Sequence, residues 1–229
     1  MRIRSIIAII VAALIYSSLL SAGTSIQPPP DLNQAQKLIF FLDHLKGVPK
    51  GSLLVYDFKN STQGEKGFRD KVEIKVTDVV AEGKRDLEFN FLSGENHIDF
   101  TPAKAYTGNP VIIHFLERDI SLMTKDTDGS IGYFRNRIRN SFRDPAHVRD
   151  IKFQYNGKQL EGTEIVVIPF VGDRNAENFK LYVNKRYEFV FSDQVPGGIY
   201  RIRTQVPSEK GDTILIDENM TFSKVTPAI

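Results

Sequence analysis

VEIKVT, residues 72–77, and LEFNF, residues 87–91, place apolar side chains at every second position, with polar side chains between them. The sequence Glu82-Gly83-Lys84 lies between the two stretches and is typical of a turn. Period-two alternation is characteristic of antiparallel strands with one face on a core and one in water. The strands of a parallel sheet are apolar on both faces. The two stretches therefore predict a hairpin in an antiparallel sheet.

The same alternation recurs along the chain and predicts eight or nine strands in all. It is clear at Leu54, Tyr56 and Phe58, and again at Tyr187, Phe189 and Phe191. Asn156-Gly157 stands between two such stretches and is the strongest short hairpin signal of the sequence. The strand pattern thus extends from residue 54 to about residue 222, with one interruption.

Two segments have helical spacing instead. Asp31 can cap a helix with Gln34 as its capping-box partner, and apolar residues at helical intervals extend that predicted helix over residues 31–46. A second region, about 109–145, begins at Asn109-Pro110 and predicts a pair of helices inserted between two sets of strands. The predicted fold class is α+β: a curved, half-barrel-like antiparallel sheet packed on an N-terminal helix and a helical pair in mid-chain.

The first 23 residues have the order of a secretory signal peptide. Arg2 and Arg4 precede the apolar run 6–16, and Ser21-Ala22-Gly23 offers the small side chains that cleavage requires. Residues 24–30, which include Pro28-Pro29-Pro30, predict a stiff spacer, followed by a single domain over 31–229. The alternative is an uncleaved anchor. Cleavage predicts a periplasmic or secreted protein, with a Gram-negative periplasm favoured, and leaves no membrane span.

Composition excludes several classes of function. The chain has 30 basic and 28 acidic residues, and removal of the two leader arginines leaves 28 of each. A formally neutral domain gives no support for nucleic-acid binding. The chain has no cysteine, which excludes disulfides, thiolate metal sites and a lipidated cysteine.

The sequence predicts no catalytic residue, metal site or cofactor. Known nucleophile, zinc, P-loop and dinucleotide motifs are missing from it. Its four histidines are scattered along the sequence, at His44, His97, His114 and His147. The hypothesis of a hydrolase stays open only if folding brings a histidine and a carboxylate together in a cleft.

Two patterns in the sequence are suited to binding a ligand. Arg135, Arg139 and Arg143 are four residues apart on one helical face, where they could meet an anionic headgroup. Aromatic side chains on the strands could line a hollow for an acyl chain, and the candidates are Phe89, Phe91, Tyr187 and Phe189. The competing interpretations are that the arginines pair with nearby acids and that the aromatics fill the core.

The order of elements, from the helix at 31–46 through the insertion at 109–145 to the last strands, resembles the periplasmic lipoprotein-carrier superfamily of LolA and LolB. In that superfamily helices cover the concave side of an unclosed barrel and lipid chains enter between them. Residues 115–120, FLERDI, are also similar to exported proteobacterial proteins without an assigned function. The resemblance implies a non-enzymatic module that binds a lipid or a lipoprotein acyl chain. An envelope module that binds another protein through a strand edge near Pro169 is the alternative.

Overall fold

The computed structural model describes residues 31–143 and 146–227, and in these ranges one antiparallel sheet of nine strands packs on helices. The first four strands are β1 (Leu53–Thr62), β2 (Phe68–Val79), β3 (Arg85–Phe91) and β4 (Ala103–Tyr106). The other five are β5 (His147–Tyr155), β6 (Lys158–Val167), β7 (Arg186–Phe191), β8 (Ile199–Pro207) and β9 (Ile214–Thr226). The predicted α+β class is confirmed.

The sheet order is β4-β3-β2-β1-β9-β8-β7-β6-β5, so each half of the chain is a meander and β1 pairs with β9 to join the halves. Asn156 and Gly157 both adopt positive φ in the turn between β5 and β6, as a type I′ hairpin requires. Register shifts interrupt five of the pairings, and such bulges bend a sheet. The sheet has the curved, open form of a half-barrel.

The core lies on the concave face of this sheet. One row of directly paired residues crosses five strands, from β1 to β6, and every member is fully buried: Phe58, Met220, Ile202, Phe189 and Ile165. Alternation in sequence thus becomes a continuous apolar row in space, because side chains at every second position share one face.

Two helices cover that face. Helix α2 (Val111–Asp126) follows β4, and helix α3 (Ile131–Ser141) precedes β5. Because β4 and β5 form opposite edges of the sheet, the chain between them has to cross it. The buried residues of α2 include Phe115 and Ile120, and those of α3 include Phe134 and Ile138.

The N-terminal helix is shorter than predicted. Helix α1 (Gln34–Gln36) continues as a π-helical turn, Lys37–Phe41, and ends there because Leu42 is extended. Its cap is Asn33, with Gln36 as the capping-box partner, and not Asp31. The predicted range 31–46 was wrong because Leu42 and Leu45 keep the helical spacing of apolar residues although the backbone has left the helix.

Charged residues on the buried side of α2 anchor it to the sheet. Arg118 Nη1 donates to both carboxylate oxygens of Glu218 on β9, at 2.8 and 2.9 Å, and its guanidinium lies 5.1 Å from the centre of the Phe58 ring. Asp119 accepts hydrogen bonds from Lys185 Nζ and Tyr187 Oη, each at 2.5 Å. These side chains are almost entirely buried, so they fix the position of α2 over the sheet.

The predicted leader and spacer, residues 1–30, lie outside the described residues. Within the ranges that are described, no helix is both long enough and apolar enough to cross a membrane.

The buried ion pair gives a first prediction. Glu218→Gln leaves the Arg118 charge buried without its counter-ion, and we expect it to lower the free energy of unfolding by about 3–5 kcal/mol. Glu117→Gln removes the partner of Arg135 in an exposed Arg–Glu pair and should cost under about 1 kcal/mol. Urea denaturation of both variants measures the difference. Equal losses would contradict the anchoring role of Glu218.

Candidate functional site

A groove of about 1150 Å³ lies at one end of the half-barrel. One wall is the segment 42–49, named here the strap, which leads from helix α1 to β1. The opposite wall is the β5–β6 hairpin, with Ile151, Gly162 and Thr163. The floor includes Phe191 and the turn 192–198 between β7 and β8. The groove is open to solvent on one side.

The strap closes the end of the core. Leu45 and Val48 are buried among the core residues, while Leu42 is 46% exposed and faces the groove. Asp43 forms an ion pair with Arg85 at the start of β3, with 3.5 Å between Oδ2 and Nη1. The strap is therefore pinned to the sheet by two apolar side chains and one charge.

A tight turn lets the strap approach the floor. Gly198 has φ +71°, and a Cβ there would lie 3.0 Å from the Cβ of His44. Only glycine combines that backbone conformation with so close a contact. The His44 ring stacks on Phe191 with 5.4 Å between ring centres.

His44 is the unusual residue of this wall. It is 6% exposed, and both of its ring nitrogens are buried. Burial lowers the pKa of His44 from 6.5 to about 4, although a hydrogen bond with the Leu38 backbone and the Asp43 charge act in the opposite direction. The ring is therefore neutral at physiological pH, with one donor and one acceptor.

The rim of the groove carries charges of both signs. Its acidic side chains are Asp43, Asp150, Glu161 and Asp193, and its basic ones are Lys46 and Lys152. Lys152 and Glu161 face each other at 3.7 Å, and Asp43 is held by Arg85. The arrangement is an apolar hollow with a mixed, slightly acidic rim, and no arginine is among its lining residues.

The arginine stripe predicted from the sequence lies elsewhere. Arg135, Arg139 and Arg143 are all exposed on or just after α3, and none lines the groove. Arg135 is paired with Glu117 on α2 through bonds of 2.8 and 2.6 Å. Arg137 points away from the stripe, to the Pro169 carbonyl and to Asp173.

The four predicted aromatics lie on the concave face, where other side chains pack on them. Phe89 contacts His114 and Phe91 contacts Phe100, each edge to face. Tyr187 donates to Asp119, and burial raises its pKa well above the usual value. Phe189 packs on Phe142. The structure therefore brings the aromatics into one core, apart from the exposed arginines, and their role in binding stays a prediction.

Two observations bear on the alternative functions. His97 Nε2 lies 2.9 Å from Asp99, which is almost fully exposed, and this pair is outside the groove. The strand that precedes Pro169, β6, is paired on both sides, by β5 and by β7. The free edge expected near Pro169 is therefore not there, and the edges of the sheet are β4 and β5.

Sequence reasoning missed the groove because its walls are far apart along the chain. In the sequence, Pro196-Gly197-Gly198 is typical of a turn, and Gly47 and Pro49 are typical of the end of a helix. Their proximity depends on the strand order, which alternation does not specify. His44 carried no motif that distinguished it from the other histidines.

The buried His44 gives a prediction for pH. The unfolded chain takes up a proton on His44 as pH falls below 6.5, whereas the folded protein resists protonation until about pH 4. Its contribution to stability is complete above pH 6.5 and is lost as pH falls towards 4, with about 2 kcal/mol lost by pH 5. His44→Phe should remove that loss, as measured by urea denaturation at pH 7 and pH 5. His147→Asn, at an exposed histidine, is the control and should leave the loss unchanged.

Comparisons with known proteins find no matching family model and no curated relative. Among solved structures, the fold is similar to the lipoprotein LppX of Mycobacterium tuberculosis, at 10% identity and a TM-score of 0.34, over 82% of this chain and 91% of the other. It is also similar to a LolA superfamily protein of Nitrosomonas europaea, at 8% identity and a TM-score of 0.23, over 84% and 92%. The resemblance predicted from the order of elements is thus found among the solved structures. At these scores the similarity carries no argument about ligands. A ligand has to be inferred from the contacts of this chain itself.

Proposed function

We propose that this chain is an exported, non-enzymatic module that binds the apolar chain of a lipid or lipoprotein in the groove between the strap and the β5–β6 hairpin. The observation that carries the proposal is the groove itself, a preformed hollow of about 1150 Å³ beside an intact core. Known small-molecule sites occupy roughly 300–1,000 Å³, so the space suits a ligand of lipid size. Export is supported by the predicted leader at residues 1–23.

The lining of the groove supports an apolar ligand. Side chains from five parts of the fold meet there, and the apolar ones include Leu38, Leu42, Ile151, Phe191 and Val225. Burial of apolar surface is worth about 25 cal/mol per Å², so removing this lining from water would drive binding.

The exposure of Leu42 supports the same proposal. Leu42 is 46% exposed and Phe40, two residues earlier, is 38% exposed, so two apolar side chains are accessible where helix α1 ends. Exposed leucines are common singly, but an exposed leucine on the wall of a hollow is placed to contact a ligand. The charged side chains of the rim would stay in water while the groove encloses the apolar chain of the ligand.

A second arrangement places the same ligand between α3 and the sheet. In it Arg135, Arg139 and Arg143 meet an anionic headgroup, while Phe89, Phe91, Tyr187 and Phe189 face the tail. It requires the helices to move, because these aromatics are packed on neighbouring side chains. Site-directed variants separate the two arrangements.

The test uses the neutral apolar dye N-phenyl-1-naphthylamine, whose fluorescence rises in an apolar site. Leu42→Asp places a charge on the wall of the groove and should weaken dye binding about tenfold or more, since it removes apolar contact and would bury a carboxylate. Leu181→Asp is the matched control, because Leu181 is 44% exposed and does not line the groove. It should bind the dye as the unmodified protein does.

Three outcomes decide the location. Loss with Leu42→Asp alone supports the groove. Unchanged dye binding in Leu42→Asp, together with loss of dye displacement by the anion laurate when Arg139→Glu and Arg143→Glu are combined in one chain, moves the ligand to α3 and contradicts the groove. Absence of dye binding in the unmodified protein contradicts lipid binding at either place.

A further inference from the structure

A second, smaller pocket lies between helix α3 and the loop 168–175, which follows β6. It has a volume of about 280 Å³, and the six residues that line it are Tyr133, Arg137, Gly172, Asp173, Arg174 and Asn175. These six residues are not among those that line the groove. A water molecule takes about 30 Å³ of the liquid, so the pocket has room for roughly nine, which suits a phosphate group and is too little for a whole lipid.

The charges that line this pocket favour an anion. Arg137 and Arg174 contribute two guanidiniums against the single carboxylate of Asp173, so one positive charge is left over. Arg137 Nε lies 2.7 Å from Asp173 Oδ2, and Arg137 Nη2 donates to the Pro169 carbonyl at 2.8 Å. These contacts fix the guanidinium and occupy two of its five N–H donors, and the side chain of Arg137 is 37% exposed. The remaining donors can bind the oxygens of a phosphate.

The same loop presents apolar side chains to water. The Asp173 backbone N–H donates to the Phe170 carbonyl at 3.1 Å, which closes a tight turn in which Gly172 has φ +71°. Phe170 is fully buried and packs edge to face on two other phenylalanines, so it anchors the turn in the core. Val171, at the tip of the turn, is 58% exposed, and Ile168 is 41% exposed. The core thus holds an apolar tip out into solvent beside the pocket.

An apolar tip beside a pocket of guanidiniums suits the surface of a bilayer. In a bilayer the phosphates form one layer, and the acyl chains begin directly beneath it. Apolar side chains of a docked protein enter that boundary, while neighbouring basic side chains stay at the phosphates. A free phosphate would use the guanidiniums and leave Val171 in water. The exposed tip therefore favours a phosphate that belongs to a lipid.

We propose that the loop 168–175 docks on a bilayer that contains anionic lipid, with a lipid phosphate held by Arg137 and Arg174 and with Val171 in the acyl boundary. The inference goes beyond the proposed function, because it concerns where the protein meets a membrane and does not require an occupied groove. It also differs from the headgroup site predicted on the arginine stripe, whose residues do not line this pocket.

The test is co-sedimentation of the protein, isolated after export and without detergent, with lipid vesicles. Vesicles of phosphatidylglycerol and phosphatidylcholine in equal amounts should bind the unmodified protein more tightly than vesicles of phosphatidylcholine alone. Arg174→Gln should weaken binding to the mixed vesicles about fivefold, which is the effect of one basic residue at an anionic surface. Val171→Asp should weaken it about tenfold or more, because it removes the apolar contact and brings a carboxylate to the phosphates. Val171→Phe should strengthen it.

Two matched controls make the same chemical changes elsewhere on the surface. Val79→Asp changes a valine that is 40% exposed at the end of β2. Arg69→Gln changes an exposed arginine of β2 that does not line the pocket. Both controls should bind the mixed vesicles as the unmodified protein does.

Inorganic phosphate distinguishes the two sources of the anion, with thermal unfolding as the measurement. If phosphate raises the Tm of the unmodified protein but not that of Arg174→Gln, and the mixed vesicles do not bind, the pocket takes a free phosphate and the docking proposal is wrong. Equal losses of vesicle binding in Val171→Asp and Val79→Asp would reveal general charge repulsion and would also overturn it. Dye binding in the groove is measured without vesicles, so the proposed function stands or fails separately.

Discussion

The arrangement of this fold depends on the hydrogen bonds that the carboxylate of Asp119 accepts. It lies under α2 and accepts hydrogen bonds from Lys185 and Tyr187 at 2.5 Å, in surroundings almost without solvent. One residue earlier, Arg118 reaches Glu218 on β9. Arg118 and Asp119, two adjacent residues of α2, thus pair with groups of opposite charge. These groups are Glu218 on β9 and Lys185, which directly precedes β7. A slide or rotation of α2 would break both pairs at once, and buried charges without partners are costly.

This anchoring determines where the molecule has room. The helical pair is fixed over the middle of the concave face, since it has to cross from the β4 edge to the β5 edge. Only the end of the half-barrel is left to the strap, an irregular segment that inserts Leu45 and Val48 into the core. Helix α1 is tied to the C-terminal end of α3, where Asn33 Nδ2 donates to the carbonyls of Phe142 and Arg143. The groove is the space that remains between the strap and the β5–β6 hairpin.

Alternation in sequence was sufficient to predict the strands of an antiparallel sheet, because a strand with one buried face has apolar residues at every second position. The row from Phe58 to Ile165 shows that result in space. The same reasoning failed at residues 42–46, since a strap and a helix bury leucines at similar spacing. The predicted headgroup contact at Arg139 lies on an exposed surface and the predicted tail contact at Phe189 is buried, and their role in binding stays a prediction. Which loops meet depends on which strands pair in the sheet. The alternation within one strand does not indicate which strand lies beside it.

The buried ion pairs of α2 belong to the scaffold, and their residues do not line the groove. In the middle of the sheet the buried charges are paired: Asp119 with Lys185, and Arg118 with Glu218. On the strap, by contrast, the apolar side chain of Leu42 is 46% exposed at the wall of the groove. A ligand that covers Leu42 would bury apolar surface without breaking any of the pairs that hold the helices. A ligand under α2 would have to compete with the network that positions the helix. The end of the half-barrel is therefore the place where binding and folding do not oppose each other.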